Sequence, residues 1–441
     1  MQLHLNSAMD RTFLIRALSL YAPLFGCMML WSWRKPARAE GTGALLATAW
    51  NLPVLLVLNS LAQWLGWWRF NVHEAVFLGM PVDLWLGWSF LWGTFAALLF
   101  RRAPGLFACL CFGACDLLIM PLCSPVISLG RFWLIGEASG LIFCLLPAFY
   151  FARWTREQAH TVWRSAMQFM TFSGLLLIGV TVAYLSGPGQ TNHVDLHSTS
   201  AQAILQLLFL LSVPGLSAVQ EFAQIGDGTP LPYDPPTRLV ASGIYSYIAN
   251  PMQTSATLLL FALALALHSV WLFIAGLVSV SYCVGLAAWD EGNDLRSRFG
   301  FAFLRYRRHV RNWFPRWHPY VAHPARIYLS QECHKCSQMA AFLVGLKPHK
   351  LSILPAEEHP VYALERMTYE SHEGSVRAQG IVALARALEH VNLAWAMAGF
   401  ILRLPLISQL IQSITDVSGG GPFRASRRAC SIADAQQMKN T

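Results

Sequence analysis

Apolar residues gather into nine blocks between residues 13 and 289, separated by polar or charged breaks. The blocks cover 13–31, 44–65, 84–100, 104–129, 132–152, 166–185, 201–219, 252–268 and 270–289. A helix needs about 20 apolar residues to cross a bilayer, so the pattern predicts an all-α polytopic membrane protein with about nine transmembrane helices. The first block carries Arg16 and ends without a small-residue cleavage site, which reads as a retained helix and not a signal peptide. After Pro319 the long blocks stop, and a small, soluble α/β module is expected.

Only Ser269 and the boundary residue His268 lie at the junction of the last two blocks, so these form a tight helical hairpin. Ahead of the hairpin, residues 226–252 read G-D-G-T-P-L-P-Y-D-P-P-T-R-L-V-A-S-G-I-Y-S-Y-I-A-N-P-M, with five prolines and three glycines. Proline fixes φ and removes a backbone donor, which excludes continuous helix or sheet and leaves an irregular path held by its surroundings. Such loops usually bind something. After the hairpin, residues 289–316 carry charges at helical spacing up to Pro315, predicting an amphipathic helix beside the loop.

Composition agrees with the class: 55% of residues are hydrophobic, only 12% are charged, and 17 are Trp. The breaks alternate in charge. Arg34, Lys35 and Arg38, then Arg101 and Arg102, then Arg153, Arg156 and Arg164 fall on one side, whereas 187–200 opposite has no Lys or Arg. The positive-inside rule then places the N-terminus outside and the loop and C-terminal third in the cytoplasm, in a bacterial-type inner membrane. The net charge of +9 is accounted for by topology and anionic-lipid contact, and no nucleic-acid partner is expected.

The order G-I-Y-S-Y-I-A-N-P-M, hairpin, D-E-x-x-x-L-x-x-x-F-G-x-x-x-x-x-Y resembles the isoprenylcysteine carboxyl methyltransferase and phospholipid methyltransferase superfamily over about residues 220–316. The upstream G-D-G-T-P-L-P-Y-D-P-P resembles a bacterial branch of it. The resemblance implies an S-adenosylmethionine-dependent methyl transfer to a carboxylate or other group of a lipid or isoprenoid-like acceptor at the cytoplasmic face. It places Gly243, Tyr245, Tyr247, Asn250, Pro251, Met252, Glu291, Leu295, Phe299 and Gly300 at the cofactor, and Glu291, Asn250 and Tyr306 at the chemistry. Three positions depart from the pattern: Ala249 stands where Arg is common, Gly292 where a second Glu would be, and Phe303 for the first tyrosine of a pair. The missing Arg points to a less acidic acceptor or to a lost activity.

Methyl transfer from a sulfonium needs an in-line nucleophile and a dry pocket. A carboxylate acceptor requires no general base, whereas an alcohol or phenol does, with Glu291, Asp290 and His309 the candidates. The tyrosines also read as an interfacial aromatic belt, and Asp290 and Glu291 as a solvated helix start.

In the C-terminal module a short strand at 326–329 leads into C-H-K-C, Cys333 to Cys336, and then an apolar helix at 339–346. Cys-x-x-Cys at a helix start is the thioredoxin-like arrangement, in which the helix dipole favours a thiolate. Residues 326–423 resemble the small thiol-disulfide oxidoreductase family named for its Asp-Cys-Cys motif, with Ser330-Gln331 where that family has Asp-Gly. The pair reads as a cytoplasmic dithiol serving a thiol-redox partner, with Cys333, the member nearer the helix start, as nucleophile. A zinc site using His334 and His349, or inert thiols, are the alternatives; no metal is expected. Cys27, Cys109, Cys111, Cys115, Cys123, Cys144 and Cys283 read as small buried hydrophobes, while Cys430 lies in a basic tail expected to be disordered.

Domains are thus expected at 1–200 (transmembrane), 201–320 (methyltransferase-like), 325–423 (thioredoxin-like) and 424–441 (tail). Asp83, Asp116 and Glu137, in or at the edge of apolar blocks, are candidates for a second, lipid-accessible site for an isoprenoid or polyene, or else structural pairs between helices. His73 and Glu74 lie nearby, and His193 and His197 in an outside loop. Two other classes of function remain open: a membrane reductase of sterol-reductase-like architecture using a nicotinamide cofactor, and a non-catalytic redox sensor or assembly factor.

Overall fold

The structure, a computed structural model, describes residues 2–186, 198–229, 236–361, 363–372, 376–420 and 422, with side chains except at 2–10, 286–287, 290–291 and 419–420. The loop with His193 and His197, residues 230–235 of the proline-rich segment, the tail with Cys430, and the side chains of Asp290 and Glu291 lie outside the described residues. The chain divides into two compact units, Met1–Val182 and Ala183–Thr441. The second holds together the stretches that the sequence reads as methyltransferase-like and thioredoxin-like.

The first unit is built on α1 (Gln2–Arg34), α2 (Arg38–Trp64), α3 (Val82–Leu99), α4 (Gly105–Cys123), α5 (Trp133–Glu157) and α6 (Thr161–Leu185, running just past its border). Short antiparallel pairs, β1 (Trp68–Phe70) with β4 (Ile127–Leu129) and β2 (Val76–Phe77) with β3 (Met80–Pro81), close its loops. Leu55, Leu84, Trp92, Phe112 and Leu145 form its core. Threonines bridge helices inside it: Thr48 and Thr94 hydroxyls lie 2.8 Å apart, and Thr94 Oγ1 donates to the Ala44 carbonyl at 3.0 Å.

The second unit begins with α7 (Thr199–Gly226), followed by α8 (Pro251–Ala266), α9 (Val270–Gly285) and α10 (Ala288–His309). Beyond these come β5 (Ala325–Leu329), α11 (His334–Gly345), β6 (Leu351–Pro355), β7 (Thr368–Glu370), β8 (Arg377–Gln379), α12 (Ile381–Leu388), α13 (Leu393–Leu402) and α14 (Pro405–Thr415). The sheet runs β6-β5-β7-β8, with β5 and β6 parallel and the other pairs antiparallel. Helix α11 makes the crossover from β5 to β6.

Among the described residues seven helices, α1 to α7, are long and apolar enough to cross a membrane. The hairpin helices are shorter than the sequence blocks suggested. At 1.5 Å per residue, the 16 residues of α8 cover about 24 Å, less than the roughly 30 Å of a hydrocarbon core. The apolar block runs on, but the helix stops at Ala266, because His268 turns the chain at φ 48° and Ser269 Oγ accepts from Leu272 N to start α9. Helices α13 and α14 together pass the same test but are bent by 84°.

Candidate functional site

The loop before the hairpin is organised around one buried carboxylate. Glu221 ends the regular part of α7, which then widens into a π-helical turn, Phe222–Gly226. Ser242 Oγ donates to Glu221 Oε2 at 3.0 Å. Next to it Gly243 adopts φ +58°, and a Cβ there would sit 2.5 Å from Glu221 Oε1. Both the left-handed backbone and the close approach require glycine.

From the other side two arginines reach the same carboxylate. Arg386 of α12 lies 2.5 Å and Arg403, just after α13, lies 2.6 Å from Glu221 Oε1. Both also meet Glu389, at 3.2 and 2.6 Å. All four residues are buried. Burial leaves the Glu389 carboxyl above its ordinary range even though both guanidinium groups act to lower it; its contacts at 3.2 and 2.6 Å are those of an ion pair with each arginine, so the geometry sets two cations against two acids. The carboxylates hold the Arg386 guanidinium above its ordinary value against burial, which acts to lower it. Burial pushes the neighbouring His390 down to about 4, so it stays neutral and leaves that balance unchanged.

The tyrosines are part of this packing. Tyr245 stacks on Phe222, with ring centroids 5.1 Å apart. The Tyr247 hydroxyl donates to the Glu389 carbonyl at 2.8 Å, and that of Tyr306, on α10, to the Tyr245 carbonyl at 2.8 Å. Burial, the largest influence on each, raises both hydroxyls well above the ordinary tyrosine value. Tyr306 therefore carries its proton and spends it on the loop backbone. Leu295, Phe299, Phe303 and Tyr306 pack with Ala249 in one cluster, while Tyr245, Tyr247 and Met252 pack against Ala396 and Phe400 of α13 in another. Gly300 breaks α10 with φ 49° and ψ −122°.

Backbone bonds lock the loop to the segment after α10. Ala249 N donates to Arg311 O at 2.9 Å, Arg316 N to Tyr247 O at 3.0 Å and Tyr320 N to Ser246 O at 2.8 Å. Asn250 then precedes Pro251 at the start of α8 and makes no side-chain cap; its Nδ2 donates to Gln253 Oε1 at 3.2 Å.

In the C-terminal module Cys333 stands at the N-cap position of α11 without a side-chain cap bond, and Cys336 packs against the module's core. Glu357 Oε1 accepts from Ser330 Oγ at 2.7 Å and Gln331 N at 3.0 Å, fixing the turn before the pair. Burial acts to raise the Cys333 thiol, but hydrogen bonds from Cys336 and Lys335 outweigh it and the net direction is down. Burial, then the neighbouring Cys333, pushes Cys336 up to about 11. Iodoacetamide at neutral pH is expected to label Cys333 in preference to Cys336, with the preference persisting as pH falls because the lowered thiol keeps its thiolate longer. Peptide mass spectrometry showing equal labelling would contradict the assignment. Among the described residues no three His, Cys, Asp or Glu groups gather as a metal site. His349 Nε2 instead lies 3.0 Å from His318 Nδ1.

Of the intramembrane candidates, Asp83 pairs with Arg16 and accepts from Leu84 N at 2.9 Å. Asp116 and Glu137 line one cavity. Sequence reasoning missed Glu221, Arg386, Glu389 and Arg403; its available signals were a lone acid ending an apolar block and two arginines in apolar helical stretches.

The family model described as phospholipid methyltransferase matches residues 206–300. That span includes Glu221, Gly243, the tyrosine loop, the hairpin and α10 as far as its break. It supports a methyltransferase with a lipid-like substrate, and the seven long apolar helices support an integral membrane protein. No curated protein and no solved structure matches the chain.

Proposed function

We propose that this chain is a membrane methyltransferase that takes its methyl group from S-adenosylmethionine and passes it to a lipid or isoprenoid-like acceptor at the cytoplasmic face. The carrying observation is coincidence: the matched span 206–300 is also the stretch whose irregular loop is clamped on Glu221 and latched to the segment after α10.

The residues fit the cofactor's charges. Helix α8 starts without a side-chain cap, and its N-terminal dipole suits the cofactor's carboxylate. Glu291, near the start of α10, suits its ammonium or sulfonium. Buried hydroxyls of Thr229 and Ser255, unpaired among the described residues, add polar groups at either end of the loop. When bound, the cofactor supplies an electrophilic methyl group. The chain's own part is orientation and exclusion of water. Tyr247 and Tyr306 hold the loop and are positioning residues; Asn250 and Glu291 remain the candidates for contact with the reacting groups.

The C-terminal part is read as a thioredoxin-like module. A parallel β5–α11–β6 crossover, antiparallel β7 and β8, and Cys333 at a helix start support that reading. Its dithiol would serve a thiol-redox partner.

Calorimetry on detergent-purified protein is expected to show binding of S-adenosylmethionine and none of a reduced nicotinamide cofactor. Glu291→Ala is expected to weaken binding about tenfold or more, the order for a lost charged hydrogen bond. Membrane lipids from cells with the protein are expected to contain a species heavier by one methyl group. Absence of any affinity for the sulfonium cofactor ends the proposal.

A further inference from the structure

Two buried polar atoms in the first unit lack a hydrogen-bond partner among the described residues and line the same cavity: the indole Nε1 of Trp92 and Oδ2 of Asp116. Trp92 is only 6% exposed. Glu137, 9% exposed, lines the cavity as well. Two other polar groups of the wall are already satisfied, since Trp68 Nε1 donates to Asn59 Oδ1 at 3.0 Å and Asn59 Nδ2 to the Leu55 carbonyl at 2.8 Å. The unmet set is therefore one donor and one acceptor, with a second carboxyl group beside them.

This set selects among ligand head groups. A carboxylate has acceptors only and would leave the Asp116 oxygen without a donor. An ammonium donates to them but offers nothing for the indole N–H to bond. A hydroxyl does both, donating its proton and accepting on its oxygen. The cavity, about 20 Å³, has room for a group the size of one water and not for a chain. Leu117 and Leu118 of α4, which follow Asp116 in sequence, and Leu134 of α5, three residues before Glu137, are exposed on apolar, membrane-type helices.

We propose that this cavity binds the terminal hydroxyl of a long-chain alcohol from within the bilayer, with the hydroxyl donating to Asp116 and accepting from Trp92 Nε1 while the alkyl chain lies along the exposed leucines. Every residue used belongs to the first unit, so the proposal stands apart from the methyl-transfer reading.

The test is photolabelling of the full chain in phosphatidylcholine nanodiscs with hexadecanol bearing a diazirine on its chain, compared with the methyl ether and the hexadecanoic acid carrying the same group. The alcohol is expected to label peptides from α4 and α5 about tenfold more than either analogue, the order for one or two hydrogen bonds, and unlabelled hexadecanol is expected to compete. Trp92→Phe, which keeps the ring and removes the donor, is expected to lower the labelling to that of the ether. Asp116→Ala is a second variant, and both are checked for unchanged elution and melting. Equal labelling by alcohol and ether, or labelling indifferent to both substitutions, overturns the proposal and leaves a site for water only.

Discussion

Replacing Arg403 with alanine is expected to destabilise the second unit by about 3–5 kcal/mol, because it strands two buried carboxylates with a single cation between them. The two acids sit on α7 and on the α12–α13 connection, and Arg403 touches both, at 2.6 Å each. Arg403 Nη2 also donates to Ser217 Oγ at 3.1 Å, and Gln220 Nε2 donates to the Arg403 carbonyl at 3.1 Å, so the residue is held at both its ends. The measurement is a melting or denaturant curve in detergent, read beside the double variant Glu221→Gln/Arg403→Leu. Removing one charge of each sign is expected to recover most of the loss, since an unpaired buried charge costs more than an absent pair. A single-variant loss below about 1 kcal/mol, the range of exposed ion pairs, would mean that water reaches the cluster.

Gly243→Ala is the second large effect. Left-handed backbone costs a non-glycine residue about 1–2 kcal/mol, and forcing a methyl group into a filled space typically adds about 1–3 kcal/mol. Here the added carbon would lie 2.5 Å from Glu221 Oε1 and 2.6 Å from its Cδ. Gly300→Ala isolates the backbone part: its φ is also positive, at 49°, but nothing lies within 4 Å of the added carbon. Methyl transfer is expected to fall much further for Gly243→Ala than for Gly300→Ala, with stability following the same order. Equal losses at the two positions would show that the contact with Glu221 is unimportant.

Much of the architecture was legible in the chain. Long apolar blocks mark α1 to α7 because burial in lipid leaves a composition signal that needs no partner. The hairpin was legible as a turn but not as two short helices, since hydropathy counts residues and does not see a helix stop at Ala266. Cys333 at a helix start was legible too, because its cause is local. The tyrosines were found as residues, yet their hydroxyls bond backbone carbonyls 142 and 61 residues away, which no local pattern reports. The charge quartet was illegible for the same reason. Glu221 and Arg386 are separated by 165 residues, and each alone looks like a misplaced ion in an apolar setting.

That separation bears on biosynthesis. Translation at about 5–20 residues per second leaves roughly 8–33 seconds between the emergence of Glu221 and of Arg386, which lie 165 residues apart. Throughout that interval α7 exists as a nascent helix with an acid near its end and no counter-ion made yet. Its final seating must wait for the last quarter of the message, so ribosomes stalled before that point would hold a helix that cannot settle.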